Sequence, residues 1–273
     1  MADTRITPDA YSVVKTAETK TFDMNSPPNT AIVTGHSHGL GRALAQELLA
    51  QGWRVLGLSR SGWPAGEAAL CPGLTQVALD LSDLSALAAW LDAPTLGLAL
   101  QGAGRVWLVN NAGTVNPMGP AGVQGPQAVA QAVALNVAAP LMLADAWASA
   151  SAGVGDRRMV HISSGAARNA YPGWSVYCAT KAALDMHARA TALDAVAGLR
   201  VESVAPGVVD TAMQADIRGT ASDRFPMVER FVALHREGGL LSPTEVAARL
   251  VAHMGSDAFG LEAVRDLRQL PGG

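Results

Sequence analysis

Thr34-Gly35-His36-Ser37-His38-Gly39-Leu40-Gly41 stands directly behind the apolar run Ala31-Ile32-Val33 and opens a helical pattern that continues from Leu40 to Gln51. A strand that empties into a glycine-rich turn at a helix N-terminus presents unpaired backbone N–H groups and the positive end of the helix dipole, which suits a phosphate. Gly35 permits the turn, Gly39 lets the backbone approach a pyrophosphate, and Gly41 permits close helix-to-strand packing. Ser37, His38 and Leu40 fall within the same turn. His36 and His38 are read as exposed loop histidines, and their spacing without acidic or cysteine neighbours predicts no metal. The stretch Gly35-His36-Ser37-His38-Gly39 also spells the nucleophile elbow of a serine hydrolase, with Ser37 as nucleophile. That alternative needs several upstream strands to supply an oxyanion-hole donor, and only one strand's worth of chain precedes the turn.

Downstream, strand-like runs alternate with helical patterns. The strands are expected at Arg54–Leu58, Thr75–Leu79, Arg105–Val109, Met159–Ile162, Arg200–Val204 and Ala263–Leu267, and the helices at Leu84–Leu91, Gln127–Ala150, Ser175–Ala197 and Thr244–Met254. This order predicts an α/β chain: a three-layer, doubly wound Rossmann fold around a mainly parallel sheet of about seven strands. Ligands in such sheets gather at the carboxyl ends of the strands, where strand order reverses.

A length of 273 residues fits one such domain over residues 29–273, preceded by an extension over residues 1–28. Charged residues from Asp3 to Asp23 interrupt every apolar run in that extension, so it lacks the core of a signal peptide. It is expected to be flexible, and Met24 is a candidate translation start. Hydrophobic residues make up 49% of the chain and charged ones 16%, with a formal charge of −3, which gives no general attraction to nucleic acid or anionic membranes. The expected partner is a small molecule. Cys71 and Cys178 are too few for a disulfide framework and fit a reducing cytoplasm. The apolar run Gln127–Ala150 contains Asn136, Pro140 and Asp145 and is read as a buried helix rather than a membrane span.

At the end of the second strand, where an acidic residue would bind a ribose 2′-hydroxyl, the chain has Ser59-Arg60. A carboxylate would repel a 2′-phosphate, whereas the planar, permanently charged guanidinium attracts it, so NADP(H) is favoured over NAD(H), which stays usable. Tyr177 and Lys181 stand four apart in a helical run and emerge from one face. An ammonium so placed favours phenolate, which moves a tyrosine toward the range of a useful acid/base catalyst. Ser164, at the end of the fifth strand, is placed to hydrogen-bond a substrate carbonyl.

These residues together resemble the short-chain dehydrogenase/reductase family from Thr30 to the end. The resemblance rests on the Thr34–Gly41 turn, Asp80-Leu81, Asn110-Asn111-Ala112-Gly113, Asn136, Ser164, Tyr177-Cys178-Ala179-Thr180-Lys181, and Pro206-Gly207-Val208-Val209-Asp210-Thr211. It implies that Tyr177 is the proton donor, Lys181 lowers its pKa and binds the nicotinamide ribose, Ser164 orients the carbonyl, and Asn136 fixes a water in the proton relay. It further implies that Asp80, with Leu81 beside it, faces the adenine. Asn111, Ala112 and Gly113 would line the cofactor cleft, and Pro206, Gly207, Val209 and Thr211 would sit by the nicotinamide.

Asn116-Pro117-Met118-Gly119-Pro120, Pro172-Gly173-Trp174-Ser175-Val176 and Val264-Arg265-Asp266-Leu267-Arg268 look like the sepiapterin reductase and benzil reductase branch. The expected activity is an NADPH-dependent reduction of a ketone, aldehyde or diketone. Pocket walls are expected around Met118, Ala166–Trp174 and Met213–Leu241, including Phe225, Met227 and Phe231. The alternatives are the Ser37 hydrolase and a non-catalytic protein that senses NADP. Small side chains on several faces of the Gln127–Ala150 and Ser175–Ala197 helices leave more apolar surface than one sheet contact consumes, and the family resemblance implies that these two helices pair across a twofold axis, with Ala148 as one patch position, in a homodimer or homotetramer.

Overall fold

The computed structural model describes residues 27–270. Residues 1–26, with most of the expected extension and Met24, lie outside the described residues.

In chain order the strands are β1 (Asn29–Thr34), β2 (Arg54–Ser59), β3 (Leu74–Ala78), β4 (Arg105–Asn110), β5 (Arg157–Ile162), β6 (Leu199–Ala205) and β7 (Val264–Asp266). The helices are α1 (Gly39–Ala50), α2 (Ala65–Ala68), α3 (Leu84–Asp92), α4 (Thr95–Leu100), α5 (Pro126–Val133), α6 (Ala139–Ala150), α7 (Ser175–Leu193), α8 (Ala212–Arg218), α9 (Val228–Arg236) and α10 (Pro243–Gly255). The strands form one seven-stranded sheet in the order β3-β2-β1-β4-β5-β6-β7, every neighbour parallel. Strand order reverses between β1 and β4. The register Val33↔Gly57 and Val33↔Val109 brings the carboxyl ends of β2, β1 and β4 level at that point, which opens a crevice there.

Each face of the sheet carries its own core. On one, Leu44 and Leu48 of α1 and Leu250 and Met254 of α10 pack with Trp53 and Trp107, whose rings lie 4.2 Å apart. On the other, Leu87, Leu143 and Trp147 pack over Leu108 and Met159. Burying each such side chain contributes about 1.5–3 kcal/mol before the entropy of ordering is charged against it.

Two helices differ from the sequence expectation. Gln127–Ala150 is broken by a π-helical turn at Ala134–Ala138. Pro140 has no N–H to donate to the carbonyl of Asn136 one turn earlier, so the ladder widens there. By length and composition Pro126–Ala150 is apolar enough to cross a membrane, with a mean hydropathy of 1.5; it lies against the sheet here, with 33% of its apolar window buried. That is less burial than expected, and the remaining apolar surface faces α7 and solvent. The second difference is α7, which stops at Leu193 instead of Ala197, before Ala195 turns into the left-handed region at φ 50°. The short helices α2, α4, α8 and α9 have no counterpart in the expected set.

Candidate active site

A cleft of about 420 Å³ opens over the carboxyl ends of β1, β2, β4, β5 and β6. Its floor begins at the glycine turn, where Gly35 (φ 68°) and Gly39 (φ 55°) take the left-handed conformation that side chains disfavour. The turn is pinned to β4 by Thr34, whose Oγ1 accepts from Asn111 N and Ala112 N, each at 2.9 Å, while Asn111 Nδ2 donates to Thr34 O at 2.9 Å. A Cβ on Gly41 would collide with Gly35 O and with the Asn111 amide, so its glycine is required by the turn and β4 loop as well as by helix packing.

Along the cleft, Ser37, His38, Gly39, Leu40 and Gly41 are followed by Ser59 and Arg60, then Asp80 and Leu81, then Asn111, Ala112 and Gly113. Asp80 accepts from Ser82 Oγ at 2.7 Å and Ser82 N at 2.9 Å; these bonds first, and Arg60 last, hold its carboxyl below the usual range. The opposite end is lined by Ser164, Tyr177, Lys181, Pro206, Gly207, Val209 and Thr211. Asn136 is the exception among the expected residues. It sits behind the wall, where Oδ1 accepts from Thr114 N at 2.8 Å and Nδ2 donates to Thr114 O at 2.8 Å and Thr180 Oγ1 at 3.1 Å. Gly113 separates it from the cleft: a Cβ there would lie 3.2 Å from Asn136 Oδ1 and 3.6 Å from Lys181 Nζ.

Local structure orients the polar trio. Ser164 caps a short 3-10 turn, and its Oγ accepts from Ala166 N at 3.1 Å, which leaves the hydroxyl proton free for an acceptor in the cleft. Lys181 Nζ donates to Ile162 O at 2.7 Å. One turn further along α7, the buried carboxylate of Asp185 accepts from Ser163 Oγ at 2.6 Å and Ser203 Oγ at 2.7 Å. Burial dominates the electrostatics. It pushes Tyr177 up to about 12, with the Ser164 hydrogen bond pulling the other way, and draws Lys181 down to about 8, with Asp185 pulling the other way. The tyrosine therefore holds its proton at neutral pH, and in this geometry the nearby ammonium does not outweigh burial.

The substrate-facing wall departs from expectation at three residues. Met118, Phe225 and Met227 pack behind it, with Phe225 stacked on Trp174 at 4.5 Å. The wall itself is Tyr171, Trp174, Met213, Ile217, Phe231 and Leu234, joined by Gln214, Arg230 and Arg268. Arg268 is held by Asp266 through Nε–Oδ1 at 2.9 Å and Nη2–Oδ2 at 2.6 Å. Tyr171, Trp174 and the residues from Met213 to Leu234 fall within the stretches expected to wall the pocket; Arg268, quoted only for the branch likeness, joins them because the C-terminal turn reaches the cleft through tertiary packing.

The Ser37 alternative loses its partners here. Ser37 Oγ lies 3.0 Å from His38 Nδ1, yet among the described residues no carboxylate is bonded to His38 and β1 is the only strand before the turn. His36, expected on the surface, is fully buried.

The sequence profile described as short chain dehydrogenase matches residues 29–222. The chain belongs to the short-chain dehydrogenase family. Among its relatives, a benzil reductase ((S)-benzoin forming) of Bacillus cereus is 36% identical over 231 residues, covering 79% of this chain and 90% of that protein. A sepiapterin reductase of Meriones unguiculatus is 35% identical over 243 residues, covering 84% and 92%. A short-chain dehydrogenase/reductase structure from Burkholderia vietnamiensis is 50% identical, covers 90% of this chain and 100% of its own, and has a TM-score of 0.65. A putative NAD(P) dependent gluconate 5-dehydrogenase from Beutenbergia cavernae, solved with bound NADP, is 27% identical with a TM-score of 0.73, covering 89% and 96%. This family member is an NAD(P)-dependent oxidoreductase.

Proposed function

We propose that the protein is an NADPH-dependent reductase of ketones, aldehydes or diketones. One observation carries this reading: the Ser164 hydroxyl, the Tyr177 phenol and the Lys181 ammonium line the same cleft that the glycine turn opens. The residues present fit a dinucleotide. Backbone N–H groups and a side-chain-free cradle lie at the turn, Arg60 with Ser59 lies at one end, and Lys181 lies at the other. When bound, the nicotinamide supplies the hydride.

The chain's own residues do the rest. Ser164 and Tyr177 donate to the substrate carbonyl oxygen and orient it, and Tyr177 delivers its proton to the oxygen as it becomes an alkoxide. Burial keeps the phenol protonated beforehand. Lys181 binds the ribose and, as an ammonium, favours the phenolate left behind. The backbone carbonyl of Asn136, which finds no N–H on Pro140, would fix a water that returns the proton from solvent, the side chain being spent on Thr114 and Thr180. Arg60 reads the 2′-phosphate, and Asp80 with Leu81 bounds the adenine end.

The aromatic wall of Tyr171, Trp174 and Phe231 favours an aryl ketone or diketone, in keeping with the benzil reductase relatives. The proposal extends to one catalytic domain over residues 29–273, a cytoplasmic location, and a dimer or tetramer formed through α5, α6 and α7. NADPH consumption over a panel of diketones, pterins and simple ketones tests the activity. Reduction of an aryl carbonyl supports it; NADPH binding with no reduction of any member favours the non-catalytic alternative.

A further inference from the structure

Beneath the phosphate turn lies a side chain that the proposed chemistry does not use. His36 is 0% exposed, and its ring fills the space under β2 where Gly57 has no side chain; a Cβ on Gly57 would land on the imidazole. Its Nε2 meets Gln76 Oε1 of β3 at 2.9 Å, and its Nδ1 meets Ser59 Oγ at 3.1 Å. Ser59 Oγ in turn donates to Ser61 O at 2.6 Å. Gln76 Oε1 also accepts from Trp63 N at 2.6 Å, and Trp63 Nε1 donates to His36 O at 2.8 Å. These bonds close a ring around residues 59–63, the segment that carries Arg60 into the cleft.

Counting protons around that ring exposes a conflict. Gln76 Oε1 is an acceptor, so His36 Nε2 must bring the proton to their contact. Ser59 has one hydroxyl proton and spends it on Ser61 O, so Nδ1 satisfies Ser59 Oγ only as a second donor. All bonds are met by an imidazolium, whereas burial holds His36 below its usual range, with Gln76 and the Leu58 backbone pulling upward. The charged groups on surrounding elements are Arg42, which pairs with Glu67 and lies 5.2 Å from the Trp63 ring centroid, and Arg60 and Asp80 in the cleft; His38 follows on the same turn.

We infer that His36 is a positioning residue for cofactor choice: by tying the phosphate turn to Ser59 and Gln76 it holds the Ser59-Arg60-Ser61 turn in the shape that reads a ribose 2′-phosphate. The inference rests on the NADP(H) reading proposed above. A histidine that merely fills the core would support both cofactors equally, because the turn it belongs to carries the pyrophosphate contacts that the two share.

Dissociation constants for NADPH and NADH, measured by fluorescence titration on wild type, His36→Ala and Gln76→Leu, test it alongside thermal melts. The expected result is that both variants weaken NADPH about tenfold or more while NADH stays within about twofold. If His36→Ala does not fold, Gln76→Leu carries the same comparison, since it removes the acceptor that orients the ring. Equal loss for both cofactors, or an unchanged ratio in a folded variant, overturns the inference while leaving the NADP(H) reading intact. A wild type with no preference between the cofactors overturns that reading, and the inference with it.

Discussion

Lys181 Nζ is tethered to the end of β5 and stands 5.8 Å from the centroid of the Tyr177 ring. The cation thus faces both the phenol and the space for a ribose, and it is fixed in place by a backbone carbonyl before any ligand arrives. A buried ammonium held this way is costly to the fold, and that cost is the physical mark of a group kept for chemistry.

Replacing Lys181 with Met should separate stability from activity. Its folded pKa of about 8 lies below the ordinary 10.5, so the unfolded chain binds the extra proton between those values. Stability therefore rises with pH from about 8 to 10.5 in the wild type, and below about 8 the whole cost of burying the charge is present. Lys181→Met is expected to stabilise the fold by roughly 1–3 kcal/mol at neutral pH and to abolish turnover. Denaturant melts at two pH values check the first part; a variant less stable than wild type at pH 7 contradicts it.

His161 gives the protein an acid limit. Burial first, then His187 and Lys181, draws this β5 histidine down to about 3, so the folded state keeps it neutral while the unfolded chain protonates near 6.5. Its contribution is complete above about 6.5 and is lost as pH falls toward 3, at about 1.4 kcal/mol per pH unit. His161→Gln should flatten that part of the stability profile. An unchanged slope in the variant would mean that other groups set the acid transition.

Arg60→Ala is expected to weaken NADPH by about 1.5–3 kcal/mol, the range for a hydrogen bond to a charged group, and to leave NADH nearly unchanged. Parallel loss for both cofactors would assign Arg60 to the fold instead of the 2′-phosphate.

These predictions mix features that were legible in the sequence with others that were not. The seven strands and the glycine turn could be read because each depends on local patterning: Ala31-Ile32-Val33 must be buried whatever surrounds it, and Gly35 and Gly39 encode their own backbone conformation. The polar trio could be read because residue types and spacing carry it. His36 could not, since its burial depends on Gly57 and Gln76, which only strand pairing brings beside it. Phe231 was legible as an expected wall residue, but the parts that Arg230 and Arg268 play in the wall were hidden for the same reason: α9 and the C-terminal turn meet the cleft across the whole length of the fold. Gly57, Gly62 and Gln76 were the available signal, because a glycine inside a strand and another in the following loop mark places where a side chain comes close.

Assembly is testable at α5. Val133 is 43% exposed and, with Val129 and Val137, borders an apolar groove shared with Val176 and Ala179 of α7. Ala148, by contrast, packs against the core, so it is a poor probe of any interface. Light scattering at micromolar concentration should give a dimer or tetramer, and Val133→Glu should shift it to about 28 kDa. A wild-type mass already at 28 kDa removes the interface.

The most direct measurement of the central claim is single-turnover NADPH oxidation with an aryl diketone by wild type and Tyr177→Phe, with NADPH binding measured on both. The phenylalanine keeps the ring and removes only the oxygen that carries the proton, so turnover is expected to fall by at least ~10² while binding persists. Turnover near the wild-type rate in Tyr177→Phe would contradict the account.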